Sequence, residues 1–187
     1  NAYAALKADM DVTAFLNKDG DIDFVVAFQY DVADRLVGAV STTAKTITVA
    51  GLVYNIKANT TITKNGQPAT LADVAKGQIV YIALARNASG GLTSDALHVA
   101  VFDSTVSGTV TGVRVGLGGA RYIKLGDTEY RVSSNVEAKL DGQTLDSPLN
   151  NLAQLLNSTA TVMLNKDNRA RVITASTAGL VGLWAGL

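Results

Sequence analysis

Residues 47–56, ITVAGLVYNI, alternate apolar and polar side chains, and a similar order returns at residues 122–132, YIKLGDTEYRV. Alternation with a period of two residues is typical of strands that bury one face. Tyr54 in the first stretch matches Tyr130 in the second. The chain is therefore predicted to contain a repeated β-unit, and this repeat decides the fold.

Each unit continues with the same kind of turn. The turns Asn65-Gly66 and Asp141-Gly142 lie at the same offset as the tyrosines, and both residue types tolerate the positive φ of a tight hairpin. One short Leu-rich segment follows in each unit, too short for the crossover helix of a parallel sheet. We therefore predict an all-β fold of tandem small antiparallel β-barrels, closed or nearly closed, with one short helix per repeat.

The two ends of the chain carry fragments of the same unit. The tetrapeptide LNKD occurs at residues 16–19 and again at residues 164–167, and LVG at residues 180–182 repeats residues 36–38. An incomplete repeat is therefore predicted at each terminus. The predicted division is residues 1–34 (the C-terminal half of a barrel repeat, a helix plus a hairpin), 35–104 and 105–176 (two complete repeats) and 177–187 (an apolar tail strand).

The composition excludes several classes of function. Among 187 residues, 16 Lys and Arg balance 16 Asp and Glu, so the basic footprint of a nucleic-acid-binding protein is missing. The absence of cysteine excludes disulfides, thiol catalysis and cysteine-ligated metals. The longest apolar-leaning tract, residues 177–187, is too short to cross a bilayer as a helix. We expect no nucleic-acid partner and no membrane span.

Few residues suggest catalysis. His98 is the sole imidazole and is predicted to be a surface or rim histidine, so a serine nucleophile would have one candidate base. The carboxylates are scattered over predicted strand ends and turns, with no aromatic groove beside them. We predict a protein that is not an enzyme and that holds no cofactor.

Two loops resemble ligand-binding motifs. Residues 17–23, NKDGDID, place carboxylates at alternate positions as calcium loops do, but Gly20 stands at the fourth position instead of the sixth. An ordinary hairpin turn is favoured, with calcium as the alternative. The glycine-rich residues 115–119, VGLGG, join two predicted strands and lead into no helix, so a hairpin loop is favoured over a phosphate loop.

Three Asn-x-Ser/Thr triplets lie at predicted turns. They would accept glycans in a chain secreted by a glycosylating cell, although chance accounts for them equally well. The candidate glycosylation sites are Asn59, Asn87 and Asn157.

Apolar side chains concentrate in the two terminal fragments. An unpaired strand edge is a template for another strand, and an exposed apolar face needs a cover. The predicted subunit interface comprises Phe15, Phe24, Val26 and Phe28 on the N-terminal hairpin and Leu180, Val181, Leu183 and Trp184 on the tail.

The order of signals in a unit runs Val-x-Gly-x-Val, a strand with Gly and Tyr, an Asn/Asp-Gly turn, a Leu-rich short helix, a Val-rich strand and a Leu-Asn hairpin. It resembles the OB-like small β-barrel repeats of secreted bacterial cell-surface proteins, including parts of surface-layer-homology proteins outside their wall anchors. The resemblance implies an extracellular structural or adhesive role and brings no catalytic residues with it.

Two functions follow as expectations. The first is a structural subunit of an extracellular fibre or surface layer, in which the tail of one copy adds as a strand to the N-terminal hairpin of the next. The same terminal fragments would meet adjacent repeats of one polypeptide if the chain is part of a longer array. The second function is a monomeric extracellular module that binds polysaccharide or cell wall.

Overall fold

The computed structural model describes residues 6–7 and 10–177. The chain divides into two compact units, Asn1–Val101 and Phe102–Leu187, each with its own core. The first unit begins with an antiparallel hairpin of β1 (Asp11–Leu16) and β2 (Ile22–Phe28).

The rest of the first unit is a closed five-stranded barrel. Its strand order is β4-β3-β7-β8-β5, and pairing of β4 with β5 closes the ring. The elements are β3 (Val32–Ser41), β4 (Thr46–Val49), β5 (Leu52–Lys64), the short β6 (Gln67–Pro68), a 3-10 turn (Leu71–Asp73), β7 (Ile79–Arg86) and β8 (Leu92–Phe102).

The second unit repeats this barrel. Its strand order is β10-β9-β13-β14-β11, closed by pairing of β10 with β11. The elements are β9 (Thr105–Val115), a 3-10 turn (Leu117–Gly119), β10 (Arg121–Leu125), β11 (Thr128–Leu140), β12 (Gln143–Thr144), α1 (Pro148–Asn151), a 3-10 turn (Leu152–Leu155), β13 (Thr159–Leu164) and β14 (Ala170–Ser176).

The predicted all-β fold of tandem small barrels is confirmed, with one correction to strand direction. The predicted short helix of each repeat is a 3-10 turn in the first barrel and α1 in the second. All ring pairings are antiparallel except β5 with β8 and β11 with β14, which are parallel. The reason is geometric, because five strands in a closed ring cannot alternate in direction all the way round. Each barrel therefore has one parallel seam.

The tight turns follow the predicted chemistry. Asn65 and Gly66 have φ of 49° and 80°, and Asp141 and Gly142 have φ of 51° and 82°, so each turn has positive φ at both central positions. The first amide of each turn also donates to the last strand of its own barrel, from Asn65 to the Val101 carbonyl and from Asp141 to that of Ala175. The repeat is thus preserved in the hydrogen bonds.

Both barrels are filled by aliphatic side chains from alternating positions. Fully buried residues include Val37, Ile47, Ile82 and Val99 in the first barrel and Val110, Ile123, Leu155, Val162 and Ile173 in the second. In the part of the chain that is described, none of the helices has the length and apolarity needed to cross a bilayer.

The terminal fragments are described only in part. The hairpin β1–β2 lies where the sequence predicts one, but the predicted N-terminal helix falls on residues 1–5 and 8–9, which are outside the described residues, as is the tail beyond Thr177. The division of the chain at residues 34, 104 and 176 therefore stays a prediction.

Candidate functional site

The hairpin β1–β2 exposes apolar side chains on both of its faces. On one face the rings of Phe15 and Phe24 stack, with centroids 4.2 Å apart. Even so, Phe15 is 42 % exposed to solvent and Phe24 is 53 % exposed. The opposite face exposes Val12, Leu16 and Ile22. A two-stranded hairpin is at best marginally stable alone, and contiguous exposed apolar surface marks interaction sites. We take the hairpin as the candidate functional surface.

The turn of this hairpin is the same as a turn in each barrel. The Asn17 side-chain oxygen accepts hydrogen bonds from the amides of Asp19 and Asp21, at 2.9 and 3.0 Å. Asn87 and Asn165 make the equivalent pair of bonds in the turns β7–β8 and β13–β14. When the hairpins are aligned on this turn, β1 corresponds to β7 and β13. The following strand, β2, corresponds to β8 and β14.

The outer edges of the hairpin differ from those of its counterparts. In the barrels, β7 pairs at its outer edge with β3, and β13 pairs with β9. Among the described strands, β1 and β2 pair with each other alone. The hairpin thus offers both a strand edge and two apolar faces.

Comparison with protein-family models, with curated proteins and with solved structures finds no match.

One end of the hairpin is anchored within its own unit. The Phe28 ring stacks on the imidazole of His98, with centroids 4.3 Å apart, so Phe28 is half-buried while Phe15, Phe24 and Val26 are exposed. The His98 Nδ1 and the Thr61 hydroxyl oxygen lie 2.7 Å apart.

His98 is buried, with 7 % exposure, and the prediction of a surface or rim histidine is wrong. Its cover comes from residues distant in sequence, which a strand pattern does not reveal. Burial lowers the pKa of the His98 imidazole, and the negative charge of Asp11 opposes part of that shift. The neutral ring is therefore the form that suits this site.

A second polar contact ties the hairpin to the same cluster. The Tyr30 hydroxyl donates to an Asp11 carboxylate oxygen at 2.8 Å, and the Tyr30 ring lies against Tyr81, with centroids 5.4 Å apart. Burial, and then the bond to Asp11, raise the pKa of Tyr30 above its ordinary value. The phenol stays protonated and remains a donor.

The last described residue, Thr177, is hydrogen-bonded to the second barrel. The Asp141 carboxylate accepts hydrogen bonds from the Thr177 amide and hydroxyl, at 2.9 and 2.7 Å, and these bonds lower its pKa. The predicted interface residues Leu180, Val181, Leu183 and Trp184 lie outside the described residues. The predicted interface as a whole stays a prediction.

The two ligand-like loops are hairpin loops. In residues 17–23 the amide oxygen of Asn17 is occupied by two backbone donors, and within the described ranges no three acidic or histidine side chains converge on a metal position. Residues 115–119 join β9 to β10, as the predicted hairpin loop requires. The loop contains a 3-10 turn.

The three candidate glycosylation asparagines are exposed. Asn87 and Asn157 lie in turns, as predicted, but Asn59 lies inside β5, where the pairing with β8 shifts register. Whether any of them carries a glycan stays a prediction.

Sequence reasoning missed one further cluster. Arg121, Arg131 and Arg169 line a cavity of about 210 Å³ in the second barrel. Two of them lie at or near the beginnings of β10 and β11, and the third precedes β14. Because they are far apart in the sequence, they form no linear motif. A comparison of the two repeats position by position would have drawn attention to them.

Proposed function

We propose that this chain is a non-enzymatic structural subunit whose copies join head to tail in an extracellular fibre or surface layer. The observation that carries the proposal is the hairpin β1–β2, which has exposed apolar residues on both faces and the turn of a barrel hairpin. Of the strands that the structure describes, none pairs with either edge of this hairpin. The extracellular setting rests on the resemblance to cell-surface repeats.

The proposed occupant of the β1 edge is the tail of a second copy. The tail motif at residues 180–182 repeats residues 36–38 of β3, and β3 pairs with β7, the counterpart of β1. A tail strand from another copy would therefore pair with β1 in the same way as β3 pairs with β7. Its apolar side chains would cover hairpin residues such as Phe24, in the manner of strand addition.

Truncation is the direct test of assembly. We expect the full chain to form multimers of rising mass with concentration in light scattering and extended particles in electron microscopy. The chain ending at Thr177 should be monomeric, because its donor strand is gone. A full chain that stays monomeric at high concentration, or a truncated chain that assembles as well as the full one, contradicts the proposal.

Paired substitutions locate the acceptor. Val12→Lys with Ala14→Lys places two charges on β1, as natural edge strands do to prevent pairing, and should abolish assembly. Val115→Lys with Leu117→Lys is the matched control, because both side chains are exposed, Leu117 fully, and belong to the second barrel. Equal loss of assembly in both variants would argue against the hairpin as acceptor.

A further inference from the structure

We propose that the second barrel contains a binding site for a small oxyanionic group, a sulfate, phosphate or carboxylate, held by Arg121, Arg131 and Arg169. The cavity that these three arginines line has a volume of about 210 Å³. Pockets for whole drug-sized ligands have roughly 300–1,000 Å³. The size suits one charged group of a ligand. The inference goes beyond the proposed assembly and does not depend on it.

The charged and hydroxyl side chains that line the cavity can all donate hydrogen bonds. Arg121 begins β10, Arg131 lies near the beginning of β11, and Arg169 directly precedes β14, while Ser134 adds a hydroxyl. None of the lining residues is acidic. Guanidinium groups bind oxyanions through paired N–H donors, often with two parallel hydrogen bonds.

One of the arginines is already oriented by neutral acceptors. Arg121 donates from Nε to the Leu149 carbonyl at 3.0 Å and from Nη1 to the Gly119 carbonyl at 3.1 Å. These bonds hold the side chain without neutralising it. Its positive charge is therefore left for a ligand, and little conformational entropy has to be lost on binding.

The first barrel provides an internal comparison for the other two arginines. The parallel seam pairs Ile56 with Ala96 in the first barrel and Val132 with Ala170 in the second. One residue earlier on each strand, the first barrel has Asn55 and Asp95, and the second has Arg131 and Arg169. These positions correspond in the register of the parallel seam, although in the asparagine turn the counterpart of Arg169 is Gly91.

In the first barrel, Asn55 and Asp95 form a hydrogen bond with each other. The Asn55 amide donates to the Asp95 carboxylate at 2.7 Å, and the Lys57 ammonium lies 3.3 Å from the same oxygen. The bond from Asn55 contributes most to lowering the pKa of Asp95.

In the second barrel the same positions hold two positive charges. Within the described part of the chain, no carboxylate lies within ion-pair distance of the Arg131 or Arg169 guanidinium. Both residues line the same cavity, and an anion bound there would offset the repulsion between their like charges. A bound oxyanion would supply the negative charge and the acceptor oxygens that the Asp95 carboxylate supplies in the first barrel.

A neighbouring cavity indicates where the rest of the ligand would lie. A second cavity of about 210 Å³ shares Arg121 and Leu149 with the first and adds the apolar Val113 and Leu152. An uncharged ring attached to the anionic group would fit there. A uronic acid has this combination of groups and is therefore one of the probes.

The test is titration of the isotope-labelled full chain at constant ionic strength, followed by NMR of backbone amides and arginine Nε–H groups. The probes are inorganic sulfate, inorganic phosphate and glucuronate, with the methyl ester of glucuronic acid as the uncharged control. We expect at least one anion to give saturable shifts at Gly118, Gly119 and the three arginines, and the ester to give none. Rising chloride should weaken binding, because the site is open to solvent.

The decisive variant converts the site to the sequence of the first barrel, Arg131→Asn with Arg169→Asp. Arg169 holds the Asn165 turn through its backbone amide, which the substitution keeps, so the variant should fold, and its affinity for the anion should fall at least tenfold. The charge-matched control, Lys124→Asn with Lys139→Asp, changes two cations of the same barrel outside the cavity and should bind as the original chain does. Absence of saturable shifts with all three anions, or equal binding by the two variants, overturns the proposal.

Discussion

At the scale of single residues, the most informative side chain is His98, which is buried between Phe28 and Thr61. Burial favours its neutral form, so the folded protein binds a proton at this ring less readily than the unfolded chain does. Since its pKa in the folded state lies below the unfolded value near 6.5, the stabilising effect is complete above that pH. It decreases as the pH falls through 6.5 toward the lowered pKa.

We therefore predict that acidification from neutral pH destabilises the first barrel through His98. The single imidazole of the chain gives one Hε1 resonance in NMR spectra, and the midpoint of its titration should lie below 6.5. His98→Gln retains a hydrogen-bonding side chain and should show a smaller loss of unfolding free energy between neutral and mildly acid pH. A midpoint above 6.5, or identical pH dependence in both proteins, would contradict this account.

At the scale of elements, the asparagine turn recurs three times and is most enclosed at Asn165, which is buried. Its side-chain oxygen accepts two backbone hydrogen bonds, both 3.0 Å long, from Asp167 and Arg169. Asn165→Ala leaves those amides without their acceptor, so we expect a loss of about 1–3 kcal/mol in unfolding free energy, measured by urea denaturation. Asn165→Asp keeps an acceptor oxygen and should lose less. If both variants lose the same amount, the two bonds do not stabilise the turn.

The elements also show why some features were predictable from sequence and others were not. Strands such as β4 and turns such as Asn65-Gly66 follow local rules, because period-two alternation and positive φ depend on adjacent residues. The burial of His98 depends on Phe28, far away in the chain, and the arginine cavity depends on strands that meet only in the closed barrel. The parallel seam is not local either, although a closed ring of five strands requires it.

At the scale of the whole molecule, each barrel has a hydrophobic core of its own. Leu155 is fully buried in the core of the second unit, and its neighbour Leu156 is largely exposed. Leu155→Ala should destabilise that unit by about 2–5 kcal/mol, whereas Leu156→Ala should change its stability by less than about 0.5 kcal/mol.

Amide exchange measured by NMR checks this prediction and reports the two cores separately. In Leu155→Ala, protection should fall at core amides of the second unit, such as Val162, and stay unchanged at core amides of the first, such as Val99. An equal fall in both units would mean that the cores are not independent.

The parallel seam has a consequence for the order of events during synthesis. It joins Ile56 to Ala96 in the first barrel and Val132 to Ala170 in the second, so the last strand of each ring pairs with a strand made much earlier. Contacts between residues so distant along the chain form slowly. A nascent chain on the ribosome cannot complete either ring until its final strand has emerged, but the first ring can be complete while the second is still being translated.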